Sequence, residues 1–455
     1  MRPLSWVKEL ESCLASCGVD DDADIVASYS RDQAPLAPAG VAAALVRART
    51  AEHVASTLRF ASERRIPVVT RGAGTGLSGG ANAVDGCILL CVAALDAIVD
   101  LDVAARTAVV QPGVLNGALA AAAAARGLFY APDPASRAIS TIGGNIATNA
   151  GGSCCLKYGV TGDHVAALRV ALADGRVIKT GALTAKNVAG LDLTRLFVGS
   201  EGALGVIVEA TVRLLRAPRP ASTLVAFFDT LEKAGDAIVA MEAVADLSLL
   251  EVMDRTTVLA VEKMTRMDLD TTAAALVMAQ SDAADARAVV ASCEQICRAH
   301  GASQAACTDD PAEGRQLLTA RRMALPALEQ MGTTLLDDVA VPKPALTPMM
   351  TRIARIALER ELTIGTFGHA GDGNLHPTIV FENGDDASRT RAFLAFDDIV
   401  RAALELGGTI TGEHGVGSLK LGYLPRMVGD AELALMKQIK SVFDPSGILN
   451  PGKAL

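Results

Sequence analysis

The segment RGAGTGLSGGA, residues 71–81, constrains the fold more than any other stretch of the chain. Its glycines at 72, 74, 76, 79 and 80 follow the apolar run IPVVT, and Gly74-x-Gly76-x-x-Gly79 formally satisfies the dinucleotide-binding fingerprint. That fingerprint works only where a helix follows at once and aims its N-terminus at a pyrophosphate. Here ANAVDGCILLCV, residues 81–92, runs into another strand within a few positions. No room remains for the helix, so a Rossmann fold and its NAD site are excluded. The glycines still leave a row of unhindered backbone N–H groups, flanked by the Thr75 and Ser78 hydroxyls with Arg71 at the entrance, which suits a diphosphate. A plain flexible turn would not need so many positions without side chains.

Around this loop the periodicity alternates. VAAALVRA (41–48) reads as a strand, and Thr50 caps a helix with Glu52 in its first turn and Val54, Leu58 and Ala61 along one face. With IPVVT as a second strand this is a β-α-β opening, preceded by some 40 residues that read as a helical lead-in. Residues 81–218 are strand-rich, in GCILLCV, TAVVQPGV, HVAALRVALADGRVI and ALGVIVEATVRLL, with turn signals such as Asp174-Gly175 between them. After PRPAS (218–222) helices and strands alternate, as in SDAADARAVVASCEQICRAHGA with Gly301 past the helix end. A chain of 455 residues carries two or three domains. We expect boundaries near 219 and 411, giving segments 1–218, 219–410 and 411–455.

The net charge of -9, with no cluster of Lys and Arg, argues against nucleic acid as a partner. MRPLSWVKELESC does not read as a signal peptide, and the apolar run Ala118 to Ala125 is far too short for a membrane span. Nine cysteines form no CxxC and are expected to be reduced, Cys154-Cys155 included.

Chemistry concentrates in the histidines. FGHAGDGNLHP (367–377) carries His369 and His376, seven positions apart, which a straight strand or a helix would not bring together. A loop curled through Gly371 and Gly373, both tolerant of positive φ, would do so. A metal such as zinc then needs a third ligand and an open position, while a hydrogen-bonded histidine pair without metal is the alternative. Asp372 and Asn374 are expected either to hydrogen-bond the imidazoles or simply to form the turn. His53, His164 and His300 read as structural or solvated. The remaining histidine is in TGEHGVGS (411–418), where Glu413 and His414 are expected to point in different directions, one to a metal and one to a substrate. In ARRMALPAL (320–328), Arg321 and Arg322 open an apparent helix and offer a guanidinium for a carboxylate, with Lys343 as a second cation.

Two further small-residue stretches, PDPASRAISTIGGNIATNAGG (132–152) and VGSEGALGVIVEA (198–210), suit close approach to a flat heterocycle. The ordered set RGAGTGLSGG, PDPAS with TIGGNIATNAGG, KNVAGLDLTRLFVGSEGALGVI, FGHAGDGNLHP, TGEHGVG and FDPSGILNPGK resembles the FAD-linked oxidase branch of the vanillyl-alcohol oxidase superfamily over residues 40–455. The resemblance implies an α+β fold: a two-part FAD-binding domain and an α/β substrate cap with an antiparallel sheet, the last segment returning to the FAD domain. It implies cofactor contacts from Arg71, Gly72, Ala73, Gly74, Thr75, Gly76, Leu77 and Ser78. Further contacts are implied from Pro132, Asp133, Ser136, Thr141, Gly144, Asn145, Thr148, Asn149 and Gly151, and from Glu201, Gly205, Ile207 and Asn450. Thr75 stands where many relatives carry a flavin-linked histidine, so FAD is expected to be non-covalent. The common Gly-Tyr-Asp is Gly190-Leu191-Asp192 here.

The resemblance also implies His369, His376 and Glu413 as ligands of a divalent metal, zinc with manganese as the alternative, His414 as catalytic base and Arg321 as the carboxylate clamp. The implied reaction is oxidation of a D-2-hydroxy acid (D-lactate, glycolate or D-2-hydroxyglutarate), with electrons leaving to a quinone, cytochrome or electron-transfer flavoprotein. A cytoplasmic protein is expected, with a peripheral position at the inner membrane and a homodimer left open. The alternatives are an electron-transfer subunit without catalysis and a redox-neutral transferase on the same fold.

Overall fold

A computed structural model of the chain describes residues 5–14, 17–184, 186–382 and 384–455. Residues 1–4, 15 and 16 of the expected lead-in lie outside the described residues. Contacts divide the chain into two units, one of Met1–Gly151, Gly159–Ala217 and Glu413–Leu455, the other of Gly152–Tyr158 and Pro218–Gly412.

In the first unit, Ala44–Arg47 and Val68–Arg71 flank Ile88–Cys91 in parallel register. The helix Ala51–Arg64 connects the outer two, and Thr50 caps it by accepting from the His53 N–H at 3.1 Å. Its face of Val54, Leu58 and Ala61 is buried in one cluster with Val46, Val68, Ile88 and Leu90, and burying a side chain of Val or Leu size stabilises by about 1.5–3 kcal/mol. The lead-in is not purely helical: between the helices Ser5–Cys13 and Ala23–Ser28, the short strand Gly18–Asp20 pairs antiparallel with Ala44–Arg47. From Arg71 the chain passes through the glycines to Ile88 without a helix. The sheet is completed by the last residues, where Val68 N–H donates to Ile448 O and Asn450 N–H donates to Val68 O, each at 2.8 Å.

A second, antiparallel sheet of the same unit runs in the order Ile98–Asp102, Thr107–Val110, Val206–Arg213, Val165–Ala171, Val177–Gly181. Its strand Val206–Arg213 is apolar on both faces: Val206 and Val208 enter the cluster around the helix Ala51–Arg64, while Ile207, Ala210 and Val212 enter another with Ile142 and Ile146. The stretch 81–218, read as strands, also holds the helices Asn116–Ala124 and Ile142–Thr148. Glycines 143 and 144 lower helix propensity in the second of these, which hid it in the sequence. Thr141 caps it by accepting from Gly144 N–H at 3.3 Å, and Asn149 ends it with φ 51°.

The second unit is built on one antiparallel sheet in the order Ala302–Thr308, Ser222–Phe228, Ala275–Ser281, Leu249–Asp254, Thr363–His369, Asn374–Phe381, Thr333–Leu336. Helices packed within this unit include Arg255–Thr265, whose Val258 and Val261 share a core with Met253, Leu276 and Phe367. Cys13, Cys17, Cys87, Cys91, Cys293, Cys297 and Cys307 are free thiols. Among the described residues no helix is long and apolar enough to cross a membrane.

Candidate active site

A hairpin in the second unit brings the two histidines of FGHAGDGNLHP together. In its register His369 lies opposite Asn374 and Phe367 opposite His376, so the histidines are diagonal neighbours on adjacent strands and share one face. Their rings meet edge to face with centroids 5.3 Å apart, and both are buried. Of the two glycines expected to curl the loop, Gly373 takes positive φ, at 71°. Gly371 serves otherwise: a Cβ there would lie 2.6 Å from Leu156 Cδ2.

Directly opposite His369, on the neighbouring strand Leu249–Asp254, stands Glu251, a residue that sequence reading missed. It is wholly buried, with Oε1 2.6 Å from His369 Nδ1 and Oε2 accepting from Arg321 Nε at 2.5 Å. Burial alone would raise its carboxyl, but Arg321 and His369 outweigh that and hold it down at about 2. A carboxylate facing Nδ1 draws the ring proton to that nitrogen and leaves the lone pair on Nε2, the arrangement of a histidine ready for a metal.

Arg321 closes the helix Pro311–Arg322 rather than opening one, because Asp310 caps that helix ten residues earlier than the motif indicated. Its guanidinium lies 4.6 Å over the Phe367 ring. Glu251 takes Nε, while among the described residues the two terminal nitrogens donate to no protein group. That is the edge a carboxylate would use. Lys343 is exposed and pairs with Glu242, so nothing in its surroundings directs it to a substrate.

Asn374 does not reach an imidazole. Its amide donates to Asp338 Oδ1 at 2.7 Å and Val339 O at 3.0 Å. Asp338 lies 3.7 Å from His376 Nδ1 and also accepts from Thr411 Oγ1 at 2.6 Å and Gly412 N–H at 2.9 Å. Gly412 must be glycine, since a Cβ would fall 2.2 Å from the Asn374 amide nitrogen.

In the first unit, the glycine loop is a cradle. Among the described residues, the N–H groups from Ala73 to Ser78 donate to no protein acceptor, and Gly74 and Gly79 turn through φ 73° and 78°. Thr141 packs against it, so close that a Cβ on Gly72 would be 2.2 Å from its hydroxyl. Asn116 ties the adjoining stretch by donating to Pro132 O at 3.1 Å and Asn145 Oδ1 at 3.0 Å. Among the described residues, the buried Ser140 hydroxyl beside them has no protein partner. A run of unspent N–H donors next to polar side chains fits a diphosphate-bearing flavin nucleotide.

Glu413 and His414 also belong to this unit. Glu413 Oε1 lies 3.5 Å from His414 Nε2, and a Cβ on Gly151 would meet Glu413 Oε2 at 2.6 Å.

Residues 217–454 match the model of a family described as FAD linked oxidases, C-terminal domain, and residues 42–181 match an FAD binding domain. The glycolate oxidase subunit GlcD of Bacillus subtilis (strain 168) is 41% identical over 414 residues, covering 90% of this chain and 88% of its own length. The D-lactate dehydrogenase of Archaeoglobus fulgidus is 34% identical over 461 residues, 99% of each chain. The chain belongs to the FAD-linked oxidase family. Its fold is that of p-cresol methylhydroxylase, with a TM-score of 0.81 over 98% of this chain and 96% of that one at 17% identity.

As an FAD-linked oxidase the chain binds FAD, and the residues expected against the cofactor separate into two groups. The backbone from Gly72 to Leu77 and the helix-bearing stretch from Pro132 to Gly151 offer donors and small surfaces. Other expected side chains have protein partners. The Arg71 guanidinium is buried against the carbonyls of Tyr29 and Arg31. Ser78 Oγ lies within hydrogen-bond distance of the carbonyls of His414 and Gly415 and donates to one of them, Glu201 accepts from Val416 and Gly417 N–H, and Asn450 donates to Gly80 O and Glu201 O. Ile207 is in the core, and a Cβ on Gly205 would strike Val170 Cγ1 at 2.5 Å.

Proposed function

We propose that the chain is an FAD-dependent dehydrogenase of D-2-hydroxy acids, with D-lactate as first candidate and glycolate or D-2-hydroxyglutarate as alternatives. The observation that carries this reading is the buried Glu251, shared between Arg321 and His369. One carboxylate sets the orientation of both a guanidinium suited to a substrate carboxylate and an imidazole suited to a metal.

Arg321 binds the substrate carboxylate through its two terminal nitrogens, and the Phe367 ring beneath it keeps water from that side. His369, His376 and Glu413 would hold a divalent cation, zinc or manganese, which when bound supplies an electrophile for the hydroxyl at carbon 2. His414 accepts the hydroxyl proton as general base. FAD, held non-covalently on the glycine loop and the 132–151 stretch, supplies the acceptor for hydride from carbon 2. The electrons pass on to a quinone, cytochrome or electron-transfer flavoprotein.

Product analysis tests the assignment. The holoprotein with D-lactate, glycolate or D-2-hydroxyglutarate and an artificial electron-accepting dye is expected to yield the matching 2-oxo acid by mass spectrometry. Absence of a 2-oxo acid from every member of the panel contradicts it.

A further inference from the structure

The segment that carries His414 has no regular secondary structure to hold it. From Glu413 to Gly417 the chain is irregular, and several of its backbone groups are met by two side chains from distant motifs. Glu201 Oε1 accepts from Val416 N–H at 2.7 Å and Oε2 from Gly417 N–H at 2.8 Å. On the carbonyl side, Ser78 Oγ lies 2.8 Å from both His414 O and Gly415 O, and Ser78 O accepts from Ser418 and Leu419 N–H at 3.0 Å. Glu201 and Ser78 are both buried.

The glycines of HGVG are shaped to this clasp. Gly415 turns through φ 88° and Gly417 through φ 51°; a Cβ on the first would sit 2.9 Å from Glu201 Oε1, and on the second 2.0 Å from Ser78 O. Glu201 is itself fixed in the left-handed region, at φ 49°, with its carbonyl accepting from Asn450 Nδ2 at 2.6 Å. Ser78 closes the glycine cradle at its other end.

We infer that Glu201 is a positioning residue for His414: together with Ser78 it fixes the backbone on either side of the base, so that the cofactor loop and the base are held as one piece. The inference rests on His414 acting as the base. A carboxylate is suited to the task because its two oxygens match two successive N–H groups, whereas an amide in its place presents an NH2 to one of them. A displacement of about 1 Å in a reacting group can cost about 100-fold in rate, so a loosened clasp is visible in kinetics.

The test uses the holoprotein and the variant Glu201→Gln. Hydrogen exchange of peptides covering residues 414–419 is expected to accelerate in the variant while the FAD absorbance spectrum is retained. Flavin reduction is expected to slow by about 10- to 100-fold with little change in KM, and the pH limb of the reduction rate that reports the base is expected to shift. Ser78→Ala, which removes one hydroxyl, is expected to move exchange and rate in the same direction by less, and it decides the matter if Glu201→Gln does not fold. Parent-like exchange or a parent-like reduction rate and pH limb in the variant that folds overturns the inference. His414→Ala separates the two claims: parent-like reduction there removes the base, and with it the catalytic purpose of Glu201, whatever the exchange shows.

Discussion

The two histidine-bearing segments are held in opposite ways. His369 and His376 stand on a regular hairpin whose backbone is fixed by a ladder on both sides, and buried carboxylates address only their side chains. Glu413 and His414 stand on an irregular segment, where Glu201 and Ser78 fix the backbone itself. A sheet places a side chain with precision but offers little freedom to adjust it, which suits a metal ligand. An irregular segment lets a base approach a substrate from a direction no strand allows, at the cost of needing dedicated side chains to hold it.

The largest effect expected from breaking this contrast is at His414. Its side chain has no part in the clasp, so His414→Ala is expected to slow flavin reduction by about 100- to 10,000-fold in stopped-flow absorbance, with the thermal midpoint unchanged. Reduction at the parent rate refutes the base assignment.

Next comes Glu251. Replacing it by Gln removes the charge that orients His369 and Arg321 together, so metal affinity is expected to fall by about 10- to 100-fold. Metal content after dialysis against a chelator checks this, and parent-like retention would remove the link between Glu251 and the ligand. Full activity in metal-free protein would remove His369 and His376 from the ligand set.

The hairpin turn offers a stability comparison. Gly373→Ala forces a side chain into φ 71° with a Cβ 2.1 Å from Val341 O, which is expected to cost about 1–3 kcal/mol in chemical denaturation. Gly422→Ala, where a Cβ meets nothing within 4 Å, is expected to stay within about 0.5 kcal/mol. Equal costs would contradict the placement of the turn.

A further effect is a pH dependence from Glu201. Burial raises its pKa from 4.5 to about 7, against the opposing pull of the Val416 and Gly417 N–H groups and Lys453. Between those values the folded protein holds a proton that the unfolded chain has released, so stability falls as pH rises. The thermal midpoint of the parent, relative to Glu201→Gln, is expected to decline between pH 4.5 and about 7. A constant difference contradicts the burial argument.

Much of this was legible in the sequence where a residue type alone carries the information. The glycine run followed at once by a strand excluded a Rossmann fold, and the glycines between His369 and His376 indicated a turn that brings the two together. What stayed hidden is pairing across long separations. Glu251 lies 118 residues before His369 and Glu201 lies 215 before Val416, and no local pattern reports a cross-strand register or a side chain that crosses to another segment. For the same reason the bonds that Ser78 and Glu201 make to residues 414–417 could not be read from the sequence. Direction was equally invisible at Arg321, where a helix end read as a helix start because the Asp310 cap lies outside the motif.

The most direct measurement follows the flavin itself. The purified yellow protein, mixed without oxygen with D-lactate, L-lactate, glycolate and D-2-hydroxyglutarate in turn, is expected to lose its visible flavin absorbance with at least one D-configured or achiral member and to keep it with L-lactate. Absorbance that no member of the panel bleaches would contradict the account.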